Sequence, residues 1–194
     1  MKLVTVAEMR ALEQAAFAAG TSEADLQEQA GLGVARVVAA TLGGPDRGPV
    51  VVLAGPGNNG RDGFVAARYL LQWGYAVRLY LGPRHSLSPR EIASLLDRGA
   101  PVLEHQDAPL LDRLRAWLRS ATCAVDALLG IGVKGPPRPP LDEMIATVNA
   151  VRAEHPSLWT VAVDVPSGVD ADSGDVPGVA VRADATAVLG GLKT

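Results

Sequence analysis

Short apolar segments that alternate with helical patterns are the feature that most constrains the fold of this chain. The clearest segment, 50–54, contains five apolar residues without a polar interruption. Such a run is typical of a strand that is covered on both faces, as in a parallel sheet. Further strands are predicted at 75–81, 101–103, 122–128, 159–164 and 183–189. The alternation predicts a single α/β domain over residues 1–194, with a three-layer, doubly wound, mostly parallel sheet of the Rossmann-like class.

Capping signals place helices between these strands. Thr5 with Glu8, and Ser88 with Glu91, have the spacing of a capping box, in which two residues satisfy free backbone N–H groups at a helix start. Glycine ends several of the patterns, as is common at helix C-termini. The predicted helices are 5–19, 22–42, 62–73, 88–99, 107–119 (capped by Asp107) and 141–153.

Composition excludes several classes of function. The chain has 194 residues, 48% of them hydrophobic, which is enough for one core. Its net charge of −3 provides no basic surplus for binding a phosphate backbone, so no nucleic-acid partner is expected. No stretch is long and apolar enough to span a membrane, and the N-terminus lacks a signal-peptide pattern. The single cysteine, Cys123, makes no internal disulfide, so we expect a cytoplasmic protein without a membrane partner.

Ligands of doubly wound sheets bind beyond the carboxyl ends of the strands, and a glycine-rich segment follows the strand at 50–54. This segment, 55–63, reads GPGNNGRDG and has four glycines in nine residues, which lets a ligand approach the backbone closely. It leads into a helix N-terminus, where free N–H groups favour a phosphate. The structural alternative is a tight turn in which Asp62 is the N-cap of the following helix.

Two further segments begin with an acid at the end of a strand. Asp126 precedes the glycine-rich loop ALLGIGVKGP, in which Lys134 is either solvated or in contact with a ligand. Asp164 precedes VPSG, which places the hydroxyl of Ser167 three residues further on, either at the site or as a helix cap. If the two strands are neighbours, the two carboxyl groups lie ~5–10 Å apart.

Two carboxylates at that separation resist joint ionisation. Either one of them has a raised pKa, which suits acid/base chemistry, or a cation lies between or beside them. The available donors are all oxygens, from Asp126, Asn59, Ser167 and loop carbonyls. That set lacks the His and Cys that zinc requires and the number of carboxylates that calcium usually recruits. It therefore favours a weakly charged cation such as K⁺.

A nicotinamide dehydrogenase is one alternative, because residues 55–60 satisfy G-x-G-x-x-G after a strand. That fingerprint also requires an acid at the end of the next strand, whereas 80–84 reads YLGPR. Hydride transfer is therefore disfavoured. A second alternative is a ligand-binding or protein-interaction module that keeps the same fold without turnover.

The segments together resemble the NAD(P)H-hydrate epimerase family, also called the YjeF N-terminal domain family. The matching motifs are GPGNNGRDG at 55–63, DALLGIGVKGP at 126–136, AVDVPSG at 162–168, VAEMRALEQAA at 6–16 and LQEQAG at 26–31. The resemblance implies a metabolite-repair isomerase that interconverts the R and S epimers of NADHX and NADPHX, the C6 hydrates of the reduced nicotinamide nucleotides. It also implies functional coupling to an S-specific dehydratase, and a homodimer.

The same resemblance implies roles for individual residues. Asp164 is the candidate catalytic acid/base, and Asn59, Asp126 and Ser167 would hold one K⁺ ion per subunit. The substrate would contact Asn58, Asn59, Gly60, Arg61, Asp62, Gly130, Ile131, Gly132, Val133, Lys134, Gly135, Pro136 and Asp164.

The chain departs from the family pattern at three places. Arg61 stands where the family has a glycine; a positive φ there would make arginine costly, and otherwise its guanidinium would reach a phosphate or narrow the pocket. Gln27 replaces an apolar residue and is expected to weaken a helix or dimer contact. The chain stops just after Lys193, where family members continue with another strand, so we expect a trimmed chain or a sheet short of one edge, without a fused dehydratase domain.

Overall fold

A parallel sheet with helices on both faces organises the chain in the computed structural model, which describes residues 3–105 and 109–193. Within those residues the elements are, in order, β1 (Leu3–Val4), α1 (Val6–Ala18), α2 (Glu23–Leu42), a 3-10 turn (Pro45–Arg47), β2 (Val50–Ala54), α3 (Asn58–Gln72), β3 (Val77–Leu81), α4 (Pro89–Leu96), β4 (Val102–Glu104), α5 (Pro109–Arg119), β5 (Cys123–Ala127), α6 (Leu141–Glu154), β6 (Trp159–Val163), β7 (Ala185–Ala187) and β8 (Leu192–Lys193). This is the predicted Rossmann-like α/β class.

The strand order places a topological switch point in the middle of the sheet. Six of the eight strands of the described residues form the main sheet in the order β4-β3-β2-β5-β6-β7, and every pair is parallel. The chain runs outward from β2 through β3 to β4 and then returns to the other side of β2 as β5. Ala54, the last residue of β2, therefore pairs with Leu81 on one side and Ala127 on the other. A crevice at the carboxyl ends of β2 and β5 is the expected ligand site of such a sheet.

Each face of the sheet has its own apolar core, as the uninterrupted apolar run of β2 predicts. Val50 and Val52 pack with residues of α2, α3 and α4, whereas Val51 and Leu53 pack with residues of α5 and α6. All five residues of β2 are buried. Among the helices of the described residues, none combines the length and apolarity needed to cross a lipid bilayer.

The capping boxes at Thr5 and Ser88 are confirmed. The predicted start of α3 is wrong, because the helix begins at Asn58 rather than Asp62. Gly57 is the N-cap, with φ of 87° and no side-chain cap, so no local signal marks the start. Asp62 is consequently inside the helix and is not its N-cap. The predicted start of α5 at Asp107 lies outside the described residues.

A second, two-stranded sheet was not anticipated from the sequence. In it β1 pairs in parallel with β8, so that Leu3 lies opposite Leu192 and Val4 opposite Lys193. Both strands have only two residues, and neither has a pattern that distinguishes it from loop. The pairing joins the two extremes of the described chain beside the main sheet. It also fixes the position of Lys193.

The loop after β2 requires glycine because it passes directly against the loop after β5. A Cβ at Gly55 would lie 1.8 Å from the carbonyl oxygen of Leu128, which is backbone and has little freedom to move. We expect Gly55→Ala to lower the free energy of unfolding by at least ~2 kcal/mol, measured by urea denaturation.

The matched control is Gly33→Ala, in the interior of α2, where a Cβ would meet no atom within 4 Å. Because alanine restricts the unfolded chain and favours helix, this variant should be more stable by about 0.5–1 kcal/mol. Equal stability of the two variants would contradict the close approach of the two loops.

Candidate active site

A cleft of about 410 Å³ lies at the switch point of the sheet. It is bounded by the loop after β2, the start of α3, the loop after β5, the residue after β6, and α1. Of the residues predicted to contact a substrate, those that line it are Asn58, Asn59, Asp62, Gly130, Ile131, Gly132, Val133 and Asp164. Segments far apart in sequence therefore meet at one edge of the sheet.

A second hollow of about 590 Å³ continues from the cleft between α1 and α2. The two share part of their walls, including Asn58, Asp62 and Leu189. The second hollow also has an apolar wall that includes Phe17 and Val188. Asp62 thus lies where the two spaces join.

The carboxyl group of Asp126 is fully buried beside the cleft and is held by three hydrogen bonds. Its Oδ1 accepts from the hydroxyl of Ser167 at 2.6 Å and from the N–H of Leu128 at 3.3 Å, and its Oδ2 accepts from the N–H of Ser167 at 2.8 Å. Burial raises the pKa of Asp126 to about 6, and these hydrogen bonds oppose that rise.

The same cluster extends to Asn59 through Leu129. The hydroxyl of Ser167 accepts from the N–H of Leu129 at 2.8 Å, and the side-chain amide of Asn59 donates to the carbonyl of Leu129 at 2.9 Å. The carbonyl oxygen of Leu129 also lies 3.2 Å from the Ser167 hydroxyl. The predicted cation ligands Asn59, Asp126 and Ser167 are therefore joined in one hydrogen-bonded cluster with the Leu129 carbonyl, and the ligand atoms that they would offer to a cation are oxygens.

Asp164 lies two residues beyond the position of β6 that is in register with Asp126. Its strand is indeed the neighbour of the strand that carries Asp126, but Asp126 is in register with Ala162, so Asp164 lies beyond the strand end. Asp164 has a φ of 66°, an uncommon backbone conformation for a residue other than glycine. The Asp126 pKa is raised by burial and not by the charge of Asp164.

Lys193 is the partner of Asp164. Its ammonium group donates to Oδ1 of Asp164 and, at 2.7 Å, to the carbonyl of Leu189, while the N–H of Leu189 donates to the same Oδ1 at 3.1 Å. The Lys193 and Asp164 side chains are only 5% and 9% exposed. Such a pair keeps two opposite charges fixed inside the protein, where losing either partner would leave an uncompensated charge. Lys193 was not predicted as a site residue. The chain has only three lysines, at 2, 134 and 193, and this scarcity is the one sequence signal that distinguishes it.

Asp62 is a third acid of the cleft, and it is buried without a hydrogen bond from any other described residue. Burial raises the pKa of the Asp62 carboxyl to about 7, with contributions from the negative charges of Asp164 and Glu13, against an opposing contribution from Arg61. The charge of Asp164 therefore acts on Asp62, which was predicted as a substrate contact or, alternatively, as a helix N-cap.

The sequence model of the family described as "YjeF-related protein N-terminus" matches residues 23–194. The chain belongs to the YjeF N-terminal family. A relative from Methanopyrus kandleri, named bifunctional NAD(P)H-hydrate repair enzyme Nnr, is 39% identical over 186 residues, which cover 93% of this chain and 36% of that protein. The chain thus spans about a third of the length of that bifunctional relative.

Two other comparisons agree with this assignment. A protein from Plasmodium knowlesi named NAD(P)H-hydrate epimerase is 34% identical over 164 residues, covering 84% of this chain and 52% of that protein. The crystal structure of the yeast protein ynu0, YNL200c, superposes with a TM-score of 0.82 at 27% identity, covering 96% of this chain and 79% of that one. The Rossmann-like YjeF N-terminal fold is therefore confirmed.

The departures of this chain from the YjeF N-terminal pattern at Arg61 and Gln27 are physically linked. Arg61 lies within α3 and is not among the positive-φ residues of the described chain. The backbone strain that a positive φ would cause at this arginine is therefore absent. Its guanidinium donates to the side chain of Gln27 at 3.3 Å, to the carbonyl of Ser86 at 3.0 Å and to Glu91 at 2.9 Å. Arg61 thus joins α2, α3 and α4 and does not line the cleft.

Other predicted substrate contacts also lie outside the cleft wall. Lys134 is 69% exposed and pairs with Asp172 at 3.3 Å. Gly135 lines a separate small hollow, and Pro136 lies against Gly178. Gly60 allows the start of α3 to pack against the backbone of the loop after β2, because a Cβ at Gly60 would lie 2.0 Å from the carbonyl oxygen of Gly55.

The hydrogen bonds of Ser167 favour the ionised form of Asp126, so their removal should cost more as the pH rises. We expect Ser167→Ala to lower the free energy of unfolding by ~1–3 kcal/mol at pH 8, because Asp126 and the N–H of Leu129 each lose a partner. Below the Asp126 pKa of about 6 the loss should be smaller, because the protonated carboxyl needs the donor less.

Chemical denaturation of both proteins at pH 5 and pH 8 measures this difference. Ser173→Ala, in an exposed turn, is the control and should change stability little at either pH. A penalty for Ser167→Ala that is equal at both pH values would contradict the coupling to Asp126.

Proposed function

We propose that this chain interconverts the R and S epimers of NADHX and NADPHX, and so acts as an isomerase of nicotinamide-nucleotide repair. The observation that carries the proposal is the cleft at the switch point, which brings Asp62 and the Asp164–Lys193 pair beside the N-terminus of α3. The names of the relatives from Methanopyrus kandleri and Plasmodium knowlesi support the same activity.

The N-terminus of α3 supplies the features needed for a nucleotide diphosphate. Gly57 is its N-cap, and no side chain of the described residues occupies the capping position. The first N–H groups of the helix are therefore available to an anion, and the helix dipole favours negative charge there. Gly57 and Asn58 line the cleft directly. In this arrangement the diphosphate binds at the helix and the hydrated ring lies toward Asp164.

Epimerisation at C6 requires neither redox chemistry nor net hydrolysis. Either the ring opens, or the hydroxyl leaves and water adds to the opposite face; both routes move protons and place transient charge on the ring. A carboxyl group within hydrogen-bonding distance contributes ~10²–10⁴-fold to such a step. Asp164 is the proposed acid/base, because it lines the cleft and Lys193 holds its carboxyl in a single position.

The proposal includes one K⁺ ion per subunit at Asn59, Asp126 and Ser167. These residues supply a carboxylate, a hydroxyl and an amide oxygen beside the Leu129 carbonyl, a hard oxygen set that suits a weakly charged cation. Asp126 is a buried carboxyl without a cationic side chain next to it among the described residues, and a bound cation would compensate its charge. When bound, the ion would supply fixed positive charge beside the nucleotide.

An S-specific dehydratase is the proposed consumer of the product, which fits the bifunctional name of the Methanopyrus relative. A homodimer and a cytoplasmic location stay predictions of the sequence. The proposed substrates include both NADHX and NADPHX.

Asp164→Asn tests the acid/base assignment. We expect kcat to fall by ~10²–10⁴-fold with little change in the affinity for NADPH, because the amide neither donates nor accepts the proton of a carboxyl group. The assay follows the loss of R-NADHX in a mixture with a dehydratase specific for the S form.

Because Asp164→Asn leaves Lys193 buried without its partner, the double variant Asp164→Asn/Lys193→Gln is measured beside it. Asp175→Asn, in an exposed loop, is the matched control and should keep the wild-type rate. Unchanged turnover in both Asp164 variants would rule out the role of Asp164. Binding of NADPH by the wild type without any epimerisation would instead indicate a binding module.

Thermal melting tests the ion. At equal ionic strength, KCl should raise the Tm of the wild type above its value in choline chloride, saturating with concentration. A hundredfold excess over the Kd corresponds to ~2.7 kcal/mol of stabilisation. Asp126→Asn should abolish this difference while Asp175→Asn retains it. A wild-type Tm that is the same in both salts would contradict the K⁺ site.

A further inference from the structure

The carboxyl group of Asp62 is the one buried acid of the cleft whose environment the fold leaves unexplained. Asp126 accepts three hydrogen bonds and Asp164 is paired with Lys193, but Asp62 is only 8% exposed and accepts none from the described residues. The carboxyl oxygens of Asp62 are not among the fully buried, unpartnered side-chain atoms of the described residues, so they retain access to solvent. Because Asp62 lines both the cleft and the adjoining hollow, that access is from the space that a ligand would occupy.

Charged groups of both signs surround Asp62. Those that line the cleft and the hollow are Arg10 and Glu13 of α1, Glu23 of α2 and Asp164 after β6, with Arg61 next to Asp62 in α3 and Lys193 of β8 against Asp164. The cations are partly engaged elsewhere, since Lys193 is paired with Asp164 and Arg61 with Glu91. Burial, Asp164 and Glu13 all favour the neutral form of Asp62, and raise its pKa to about 7.

We propose that Asp62 and Asp164 form an acid/base pair that acts on opposite proton transfers of one epimerisation, with Asp62 as the donor and Asp164, held by Lys193, as the acceptor. The assignment rests on the proposed function. Two carboxyl groups at one site divide into an acid and a base when their environments favour different protonation states. Here the ammonium group of Lys193 lies against Asp164, whereas burial and the charges of Asp164 and Glu13 oppose the ionised form of Asp62.

The proton balance closes for the route in which the hydroxyl leaves. The Asp62 carboxyl donates its proton to the C6 hydroxyl oxygen, the C6–O bond breaks with its electron pair on oxygen, and water departs. The ring nitrogen lone pair forms a C=N bond and leaves a cationic ring. Water then adds to the other face, its electron pair forms the new C6–O bond, and its proton goes to Asp164. Return of that proton to Asp62 restores the enzyme, and nothing is oxidised or reduced.

Asp62→Asn separates this role from simple substrate contact. We expect kcat to fall by ~10²–10⁴-fold while the affinity for NADPH changes little. In the wild type, kcat/KM should decrease as the pH rises through about 7, because Asp62 must be protonated to donate. This decrease of kcat/KM with pH should be absent from the residual activity of Asp62→Asn. The control variant Asp175→Asn should keep the wild-type pH profile.

The stability of Asp62→Asn provides a control for folding. Because the pKa of Asp62 is raised by folding, the free energy of unfolding of the wild type should decrease as the pH rises from about 4 through about 7. The Asp62→Asn variant has no such carboxyl group and should not show this part of the decrease. Since no hydrogen bond from a described residue is removed, its Tm at pH 8 should equal or exceed that of the wild type.

A titration by carboxyl ¹³C NMR gives a readout that does not depend on activity. Asp62 should titrate well above the ordinary range of aspartate in the wild type, and its pKa should fall in Asp164→Asn, because one nearby negative charge is gone.

Two results would overturn the pair. The first is an active wild type together with an Asp62→Asn variant that keeps both its rate and its pH profile, which would leave the proposed function intact. The second is an ordinary pKa for Asp62 in the NMR titration. A wild type without epimerase activity would remove the proposed function and the pair together.

Discussion

The buried carboxyl group of Asp126 holds together the loops on which the site depends. It accepts from Ser167, beyond β6, and from Leu128, beyond β5, and the same cluster reaches Asn59 of α3 through Leu129. A group so deeply buried is costly unless its hydrogen-bonding capacity is used, so the loops must stay close for Asp126 to be tolerated. The need to satisfy the hydrogen bonds of Asp126 therefore fixes the loops, and these loops form part of the cleft wall.

The sequence predicted the layers of the fold well because the relevant signals are local. The apolar run of β2 required a strand covered on both faces, and Asp126 and Asp164 at strand ends indicated the edge of the sheet that carries the site. The start of α3 and the partner of Asp164 were not predictable in the same way. The helix begins after an uncapped glycine, and Lys193 reaches Asp164 only through the pairing of two strands at opposite ends of the chain.

The pair of Arg61 and Gln27 shows why single departures from a family pattern are hard to interpret alone. Each is unfavourable by itself: arginine in a glycine-rich loop, and an amide where an apolar side chain is usual. Together they form a hydrogen bond between α2 and α3, which Glu91 extends to α4. The arginine is accommodated because its position is helical, and its charge is used between helices at a distance from the cleft wall.

The small sheet of β1 and β8 has a consequence for the electrostatics of the cleft. The ammonium group that neutralises Asp164 belongs to β8, and that strand is held by β1. Separation of these two strands would leave the Asp164 carboxylate without its counter-ion inside the protein. The charge balance of the cleft therefore depends on two very short strands that lie outside the main sheet.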